Sequence, residues 1–177
     1  VIEAAEEPGR LVWSQQIGTD WTDAPGQAVL AEDGLYLMSG SSLITLDAST
    51  GEETARADMA GAPSWGTSAP AYADGRVFTA LTDGIVQAFS TNPLEPGWTY
   101  TAELGGQAVA PVTAGEGVVV TSFWNGDGLP ANLVFLDQVS GELSWSVESP
   151  GGYYGAGALI RNGKLYSGAD TGADAAV

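Results

Sequence analysis

Neither cysteine nor histidine occurs anywhere in the sequence. Without cysteine there is no thiolate nucleophile, no disulfide and no Cys-based zinc or iron–sulfur site. Without histidine the commonest general base and metal ligand is missing, which excludes Ser-His-Asp and histidine–metal chemistry. Basic residues are almost as scarce: 5 Lys and Arg stand against 22 Asp and Glu, a formal charge of −17. A nucleic-acid binder needs a basic footprint to displace counterions, and an anionic membrane surface attracts the same sign, so neither is expected as a partner. Long apolar runs are lacking too. Stretches such as residues 118–120 and 133–136 fall far short of the roughly 20 residues a membrane-spanning helix takes. No signal-peptide pattern is visible, and the chain begins at Val1 rather than Met, which reads as a mature or trimmed product. Carboxylate chemistry, hard-cation binding, a borrowed cofactor or plain binding remain.

What is present points to an all-β protein. Apolar residues make up 44% of the 177, too many for a disordered chain even at this charge. The 25 glycines and 9 prolines are the turn formers that many short strands require. A chain of this length defaults to one domain with room for a sizeable core. An acidic surface with Lys164 as its single lysine suits a secreted, periplasmic or cell-surface protein, although the acid-rich cytosol of a halophile would also fit.

Four segments read as a tight turn followed by an alternating strand: residues 32–37, 73–78, 115–120 and 161–166. Each places Gly after an acidic or amide residue, the chemistry of a two-residue hairpin turn with positive φ. The glycines (34, 75, 117 and 163) are spaced by 41, 42 and 46 residues, a period that marks the blades of a β-propeller. The longer step is explained by a loop insertion at residues 124–130. Small-residue strands precede each turn (27–30, 68–72, 108–112 and 155–159), a third strand follows (43–47, 85–89 and 133–137), and a fourth closes the unit (11–14, 97–100 and 143–147). The spacing therefore predicts four strands per unit and no long helix.

Two units share a signature: Asp47-Ala48-Ser49-Thr50-Gly51-Glu52 and Asp137-Gln138-Val139-Ser140-Gly141-Glu142, the second continuing to Trp145. The Asp should accept backbone N–H bonds and the Gly should take positive φ, closing the hairpin between strands three and four. The tryptophan should then lie between neighbouring units, burying about 150–250 Å². This signature resembles the Asp-x-x-Thr-Gly-x-x-x-Trp docking repeat of the pyrroloquinoline-quinone (PQQ)-like β-propellers. That family includes quinoprotein dehydrogenases and non-catalytic outer-membrane assembly lipoproteins, and the resemblance spans about residues 10–170. Two departures stand out. Ala55 holds the tryptophan position of the first unit, and Ser90-Thr91-Asn92-Pro93-Leu94-Glu95-Pro96-Gly97 replaces the signature in the second.

Residues 1–9 read as an acidic linker and 10–177 as a partial propeller. Whole blades are expected at 18–57, 58–103 and 104–149, with 10–17 an orphan outer strand and 150–177 an incomplete fourth blade. The family resemblance implies a ring of seven or eight blades, which at this period needs about 300 residues or more. An open arc exposes apolar faces that a soluble protein rarely tolerates. The expectation is a piece of a longer chain or an arc that self-associates.

The resemblance also implies an enzymatic alternative, a PQQ-dependent dehydrogenase with quinone on the axis and calcium held by Glu, Asn and Asp. Against it, the carboxylates that can be placed (Asp33, Asp47, Asp74 and Asp137) fall in hairpin turns, and the inner strands offer Gln27, Ser68 and Gln107 but no acid. The acid-bearing loops 125–128 and 170–174 do not match the EF-hand pattern and read as ordinary hairpin loops, so neither a metal nor a cofactor is expected. Trp13, Trp98 and Trp145 are expected as buried seam residues. Trp21, Trp65, Trp124, Tyr153 and Tyr154 fall in loops that share one face. They could bind peptide strands or sugars there, or plug the seams between blades. The favoured reading is a non-catalytic, extracytoplasmic scaffold whose partner is another protein or further blades. A dehydrogenase fragment and a carbohydrate-binding module are the alternatives.

Overall fold

The computed structural model describes residues 9, 11–23, 25–31, 34–64, 69–126, 131–149, 157–170 and 175–176. Three antiparallel sheets follow one another along the chain. The first is formed by β1 (Ala28–Ala31), β2 (Gly34–Ser39), β3 (Ser42–Leu46) and β4 (Glu53–Asp58), and the second by β5 (Ala71–Ala73), β6 (Arg76–Ala80), β7 (Ile85–Thr91) and β8 (Leu94–Thr101). In the third, β9 (Gln107–Ala108) and β10 (Thr113–Gly115) both pair with β11 (Val118–Trp124), which is followed by β12 (Ala131–Asp137) and β13 (Leu143–Ser149). Two further hairpins complete the chain: β14 (Leu159–Arg161) with β15 (Lys164–Tyr166), and β16 (Ala169–Asp170) with β17 (Ala175–Ala176). Short 3₁₀ turns at Trp21–Asp23 and Thr82–Gly84 are the helical elements among the described residues. The fold is thus all-β, three blade-like antiparallel sheets and part of a fourth, open rather than closed.

The turn chemistry sets the register. Asp74-Gly75, Glu116-Gly117 and Asn162-Gly163 all have positive φ, at 49° and 73°, 50° and 84°, and 53° and 67°. That is the geometry of a type I′ turn, whose twist matches that of the strands it joins. In the first unit Ala31 pairs with Gly34. Residues 32 and 33 lie outside the described residues, and Gly34 is the first residue of β2. Position 33 therefore corresponds to Gly75, and the structural period is 42 in both of the first two steps (75−33 and 117−75). The sequence spacing of 41 arose from matching glycine to glycine rather than turn to turn.

The sheets stack face to face, so their middle strands are buried on both sides. Every residue of β3 is buried, whereas β4, on the outer edge, is mostly exposed. Tyr36, Met38 and Leu43 of the first sheet meet Val77, Leu81 and Phe89 around the second. Phe78, Val86 and Ala88 of the second meet Val119, Phe123 and Leu136 of the third. Val120, Leu133 and Phe135 carry the β14–β15 hairpin through Ala158, Ile160 and Leu165. The innermost strands lie side by side, and small residues allow this: Val112 N–H donates to the Ala69 carbonyl at 3.1 Å, and the Thr113 hydroxyl to the Ala158 carbonyl at 2.9 Å.

Two strand expectations are corrected. The inner strand read at 108–112 is interrupted between β9 and β10, where Pro111 has no N–H to contribute to a ladder. The orphan outer strand read at 10–17 is not found: residues 11–17, the described part, have no ladder partners among the described residues. They are held by side chains instead, with Trp13 and Ile17 packing on Leu35, Leu37, Ile44 and Leu46.

Candidate functional site

The antiparallel topology divides the loops between two ends of the stack. The type I′ turns and the hairpins between third and fourth strands lie at one end. The turns between second and third strands and the connections between sheets lie at the other.

At the first end, each signature loop is closed by its aspartate. Asp47 Oδ1 accepts the Ser49 and Thr50 backbone N–H groups at 2.8 Å each, and also the hydroxyls of both residues. Asp137 Oδ1 accepts the Val139 and Ser140 N–H groups at 2.9 and 2.7 Å and the Ser140 hydroxyl at 3.0 Å. Gly51 and Gly141 both have φ of 75° and return their N–H to the carbonyl of the same aspartate, at 2.8 and 2.9 Å.

Each loop receives a tryptophan from the preceding unit. Trp13 lies on Gly51 and donates its indole N–H to the Ala48 carbonyl at 3.0 Å. Trp98 lies on Gly141 and donates to the Gln138 carbonyl at 3.2 Å. A methyl group on either glycine would stand 2.4 Å from the ring, so glycine is required for contact as well as for φ. Trp98 also packs on Phe78, with ring centroids 5.8 Å apart. The unit with Ala55 in the tryptophan position is followed by the unit whose hairpin turns on Asn92-Pro93, between the paired residues Thr91 and Leu94. Tryptophan and Asp–Gly loop are thus present or missing together.

Trp145 corrects the expectation of a buried seam residue. It touches Phe135, with centroids 4.5 Å apart, but is 57% exposed. The β14–β15 hairpin covers only the inner part of the third sheet, and no loop among the described residues receives this ring.

Further bonds join the units at the same end. Gln138, itself buried, donates to Asp74 at 2.9 Å. Glu116 accepts the Asn162 and Gly163 N–H groups at 2.9 and 2.7 Å. Asp47, Asp137 and Glu116 are held below the ordinary carboxylate range. The Ser49 hydroxyl and the backbone N–H groups of Thr50 and Ser49 lower the Asp47 carboxyl to about 2 from an ordinary 3.8. Asp137 is lowered by the Ser140 N–H and hydroxyl, and Glu116 by the Gly163 and Asn162 N–H groups. Because the folded values lie below the unfolded ones, their contribution is present above the ordinary carboxylate range and is lost as pH falls through the folded values. Stability to urea should therefore decline between about pH 4 and pH 2, the interval set by Asp47. Asp47→Asn, which keeps an acceptor oxygen without the charge, should converge on the parent as pH falls. Parallel curves for parent and variant would contradict this assignment.

The other end carries the aromatic loops. Trp124, half-buried, ends β11 opposite Gln107, and Trp21 opens the 3₁₀ turn Trp21–Asp23. Trp65, Tyr153 and Tyr154 lie outside the described residues, as does the side chain of Trp21, so no aromatic cluster can be drawn from them. Sequence reading missed an open polar recess of about 580 Å³ at this end, lined by Gln16, Gly18, Thr19, Asp23, residues 39–42 and Arg56. Its lining comes from three separate stretches of chain, so no local motif announces it. Arg56 is held by Glu53 through two bonds of 2.8 Å, which leaves no free cationic group among the described lining residues to select an anion. Among the described residues no three of Asp, Glu, His or Cys gather as metal ligands, and no helix is long and apolar enough to cross a membrane.

Residues 1–121 match the family described as outer membrane protein assembly factor BamB. No curated protein matches the sequence. Among solved structures, BamB from Moraxella catarrhalis is 18% identical with a TM-score of 0.65, the match covering 86% of this chain and 45% of that one. Quinohemoprotein alcohol dehydrogenase ADHIIG from Pseudomonas putida HK5 is 15% identical with a TM-score of 0.63, covering 75% and 22%. The computationally designed Ika4 protein is 16% identical with a TM-score of 0.63, covering 89% and 93%. The chain thus spans less than half the length of the two natural proteins, and at these identities the likeness is one of fold.

Proposed function

Because the chain belongs to the family of the outer membrane protein assembly factor BamB, we propose that it serves outside the cytoplasm as a non-catalytic propeller scaffold that holds other proteins. One observation carries this reading: four carboxylates at the turn-bearing end are engaged in holding the architecture together. Asp47 and Asp137 close hairpins, while Asp74 and Glu116 tie one unit to the next. The inner strands β1, β5, β9, β10 and β14 present Ala, Val, Leu, Tyr, Gln, Thr, Gly, Ile and Arg, but no Asp or Glu. A quinone with its calcium needs carboxylate and amide oxygens converging near the axis, and these strands do not fit that donor set. The fold shared with quinohemoprotein dehydrogenases does not by itself favour redox chemistry, since one fold hosts many functions.

Titration with PQQ and calcium, followed by quinone absorbance, should leave the spectrum that of free quinone. Stoichiometric uptake would overturn the scaffold reading in favour of the dehydrogenase. A photoreactive side chain at position 124, on the loop-bearing end, should yield adducts to protein. Glycan binding that disappears on Trp65→Ala would instead identify a carbohydrate-binding module.

A further inference from the structure

The polar recess holds one carboxylate that the architecture does not use. The Asp23 side chain lines it, half-buried, and makes no hydrogen bond or ion pair among the described residues. Backbone fixes its place from either side. Asp23 closes the 3₁₀ turn, its N–H donating to the Asp20 carbonyl at 3.1 Å. Gly18 and Gly40 both have positive φ, at 73° and 55°. A Cβ on Gly18 would stand 2.6 Å from the Asp23 Cβ, and one on Gly40 would stand 2.8 Å from Asp23 Oδ1. The carboxylate therefore rests between two stretches of backbone, in space that a side chain on either glycine would fill. Such ordering before binding lowers the entropy that a ligand must overcome.

The groups around it supply acceptors. Ser39 is buried and gives its hydroxyl hydrogen to the Asp23 carbonyl at 2.6 Å, so lone pairs are what remain for the recess. Ser42, only 9% exposed, also lines the recess, and its hydroxyl has no partner among the described residues. A buried hydroxyl in that state costs free energy that a ligand atom can recover. Charge points the same way. Arg56 lies in the field of Glu53, Asp58 and Asp23, and Glu53 already takes its two bonds of 2.8 Å. Three carboxylates against one guanidinium leave two negative charges uncompensated, on a chain of formal charge −17.

We propose that the recess receives an arginine side chain of the protein that this chain holds, an inference that rests on the scaffold reading above and adds the chemistry of the partner's anchor. A guanidinium carries five N–H donors in a planar fork and a charge of the required sign. The fork suits the Asp23 carboxylate, and the Ser39 and Ser42 oxygens are acceptors for further donors. Lysine offers a compact, strongly hydrated ammonium group and answers the same acceptors less fully. A phosphate or carboxylate ligand would meet Asp23 as a like charge, and a neutral sugar would leave that charge unanswered. The recess is open and measures about 580 Å³, which admits a side chain together with the backbone that bears it. Arginines seated in such pockets are among the residues that carry most of the energy of protein interfaces.

The probe is the blocked peptide acetyl-Gly-Arg-Gly-amide, followed through the amide chemical shifts of the isotope-labelled protein. The signals of Gly40, Ser41 and Ser42 should move saturably, and the affinity should fall as salt screens the charges. Asp23→Asn keeps the shape and removes the charge, and should weaken binding about tenfold or more, as the loss of a charged hydrogen bond does. Arg56→Gln removes an internal competitor for Asp23 and should tighten binding. Glu53→Gln releases Arg56 toward Asp23 and should weaken it. A merely structural role for these residues would not produce opposite changes at positions 53 and 56. The same peptide with citrulline in place of arginine should leave the spectrum unmoved, a comparison that needs no protein variant to fold. Absence of any shift with the arginine peptide overturns the proposal, as does equal binding by the citrulline peptide, by glucose or by Asp23→Asn. Spermidine binding more tightly than the peptide also overturns it, assigning the recess to a free polyamine. Quinone uptake would sink the scaffold reading while leaving peptide binding in place, whereas protein adducts from position 124 without peptide binding would sink the recess assignment alone.

Discussion

Gly141→Ala is expected to destabilise the chain by about 2–5 kcal/mol, a large effect for one added methyl group. Two costs combine. The residue has φ of 75°, where a side chain costs about 1–2 kcal/mol. The new Cβ would also stand 2.4 Å from the Trp98 ring, and relieving such overpacking costs about 1–3 kcal/mol more. The ring cannot simply retreat, because its indole N–H is bonded to the Gln138 carbonyl at 3.2 Å and its face packs on Phe78. Urea unfolding at neutral pH measures the sum, and a double-mutant cycle separates its parts. In a Trp98→Ala background the same substitution should cost only the backbone component. An equal cost in both backgrounds would mean that the ring and the glycine do not act as a pair.

Trp98→Ala and Trp145→Ala should differ sharply, although the two residues occupy equivalent places in their units. Trp98 lies between the second and third sheets as part of the largest apolar cluster, and truncating a packed tryptophan costs about 3–5 kcal/mol. Some of that is already conceded to solvent, because Trp98 is half-buried, so about 3 kcal/mol is expected. Trp145 is 57% exposed and keeps mainly its contact with Phe135. Its loss should cost about 1 kcal/mol or less when measured at concentrations where chains do not associate. Equal losses at both positions would show that an unseen loop covers Trp145 within the single chain.

Much of the architecture was legible without coordinates because the features that encode it are local. A two-residue turn with positive φ at both positions selects Asn, Asp or Gly whatever surrounds it, so Asp74-Gly75 and Asn162-Gly163 could be read directly. An aspartate that accepts N–H bonds from residues two and three positions ahead needs no distant partner, and Asp47 and Asp137 were equally plain. The strand order followed from the period of those turns. The misreadings are local too, but of another kind. Gly34 was matched to Gly75 because both are glycine, although the pairing of Ala31 with Gly34 places the turn before it. Pro111 interrupts an inner strand whose small residues had read as continuous.

The candidate site was less legible because its properties are relations between units. Trp13, Trp98 and Trp145 all stand in a fourth-strand segment, and nothing in their neighbourhoods tells a covered ring from a bare one. Burial of such a ring is decided by a loop that lies about 40 residues further along, 38 from Trp13 to Gly51 and 43 from Trp98 to Gly141. The polar recess beside Arg56 escaped notice for the same reason, its lining being drawn from three stretches brought together by the stacking. The sequence by itself determined the repeat, the turns and the all-β class, since backbone sterics and hydrogen bonding act over a few residues. Which faces are filled and which are left open was decided only by the tertiary structure, because burial is a property of two surfaces in contact and each unit supplies only one of them.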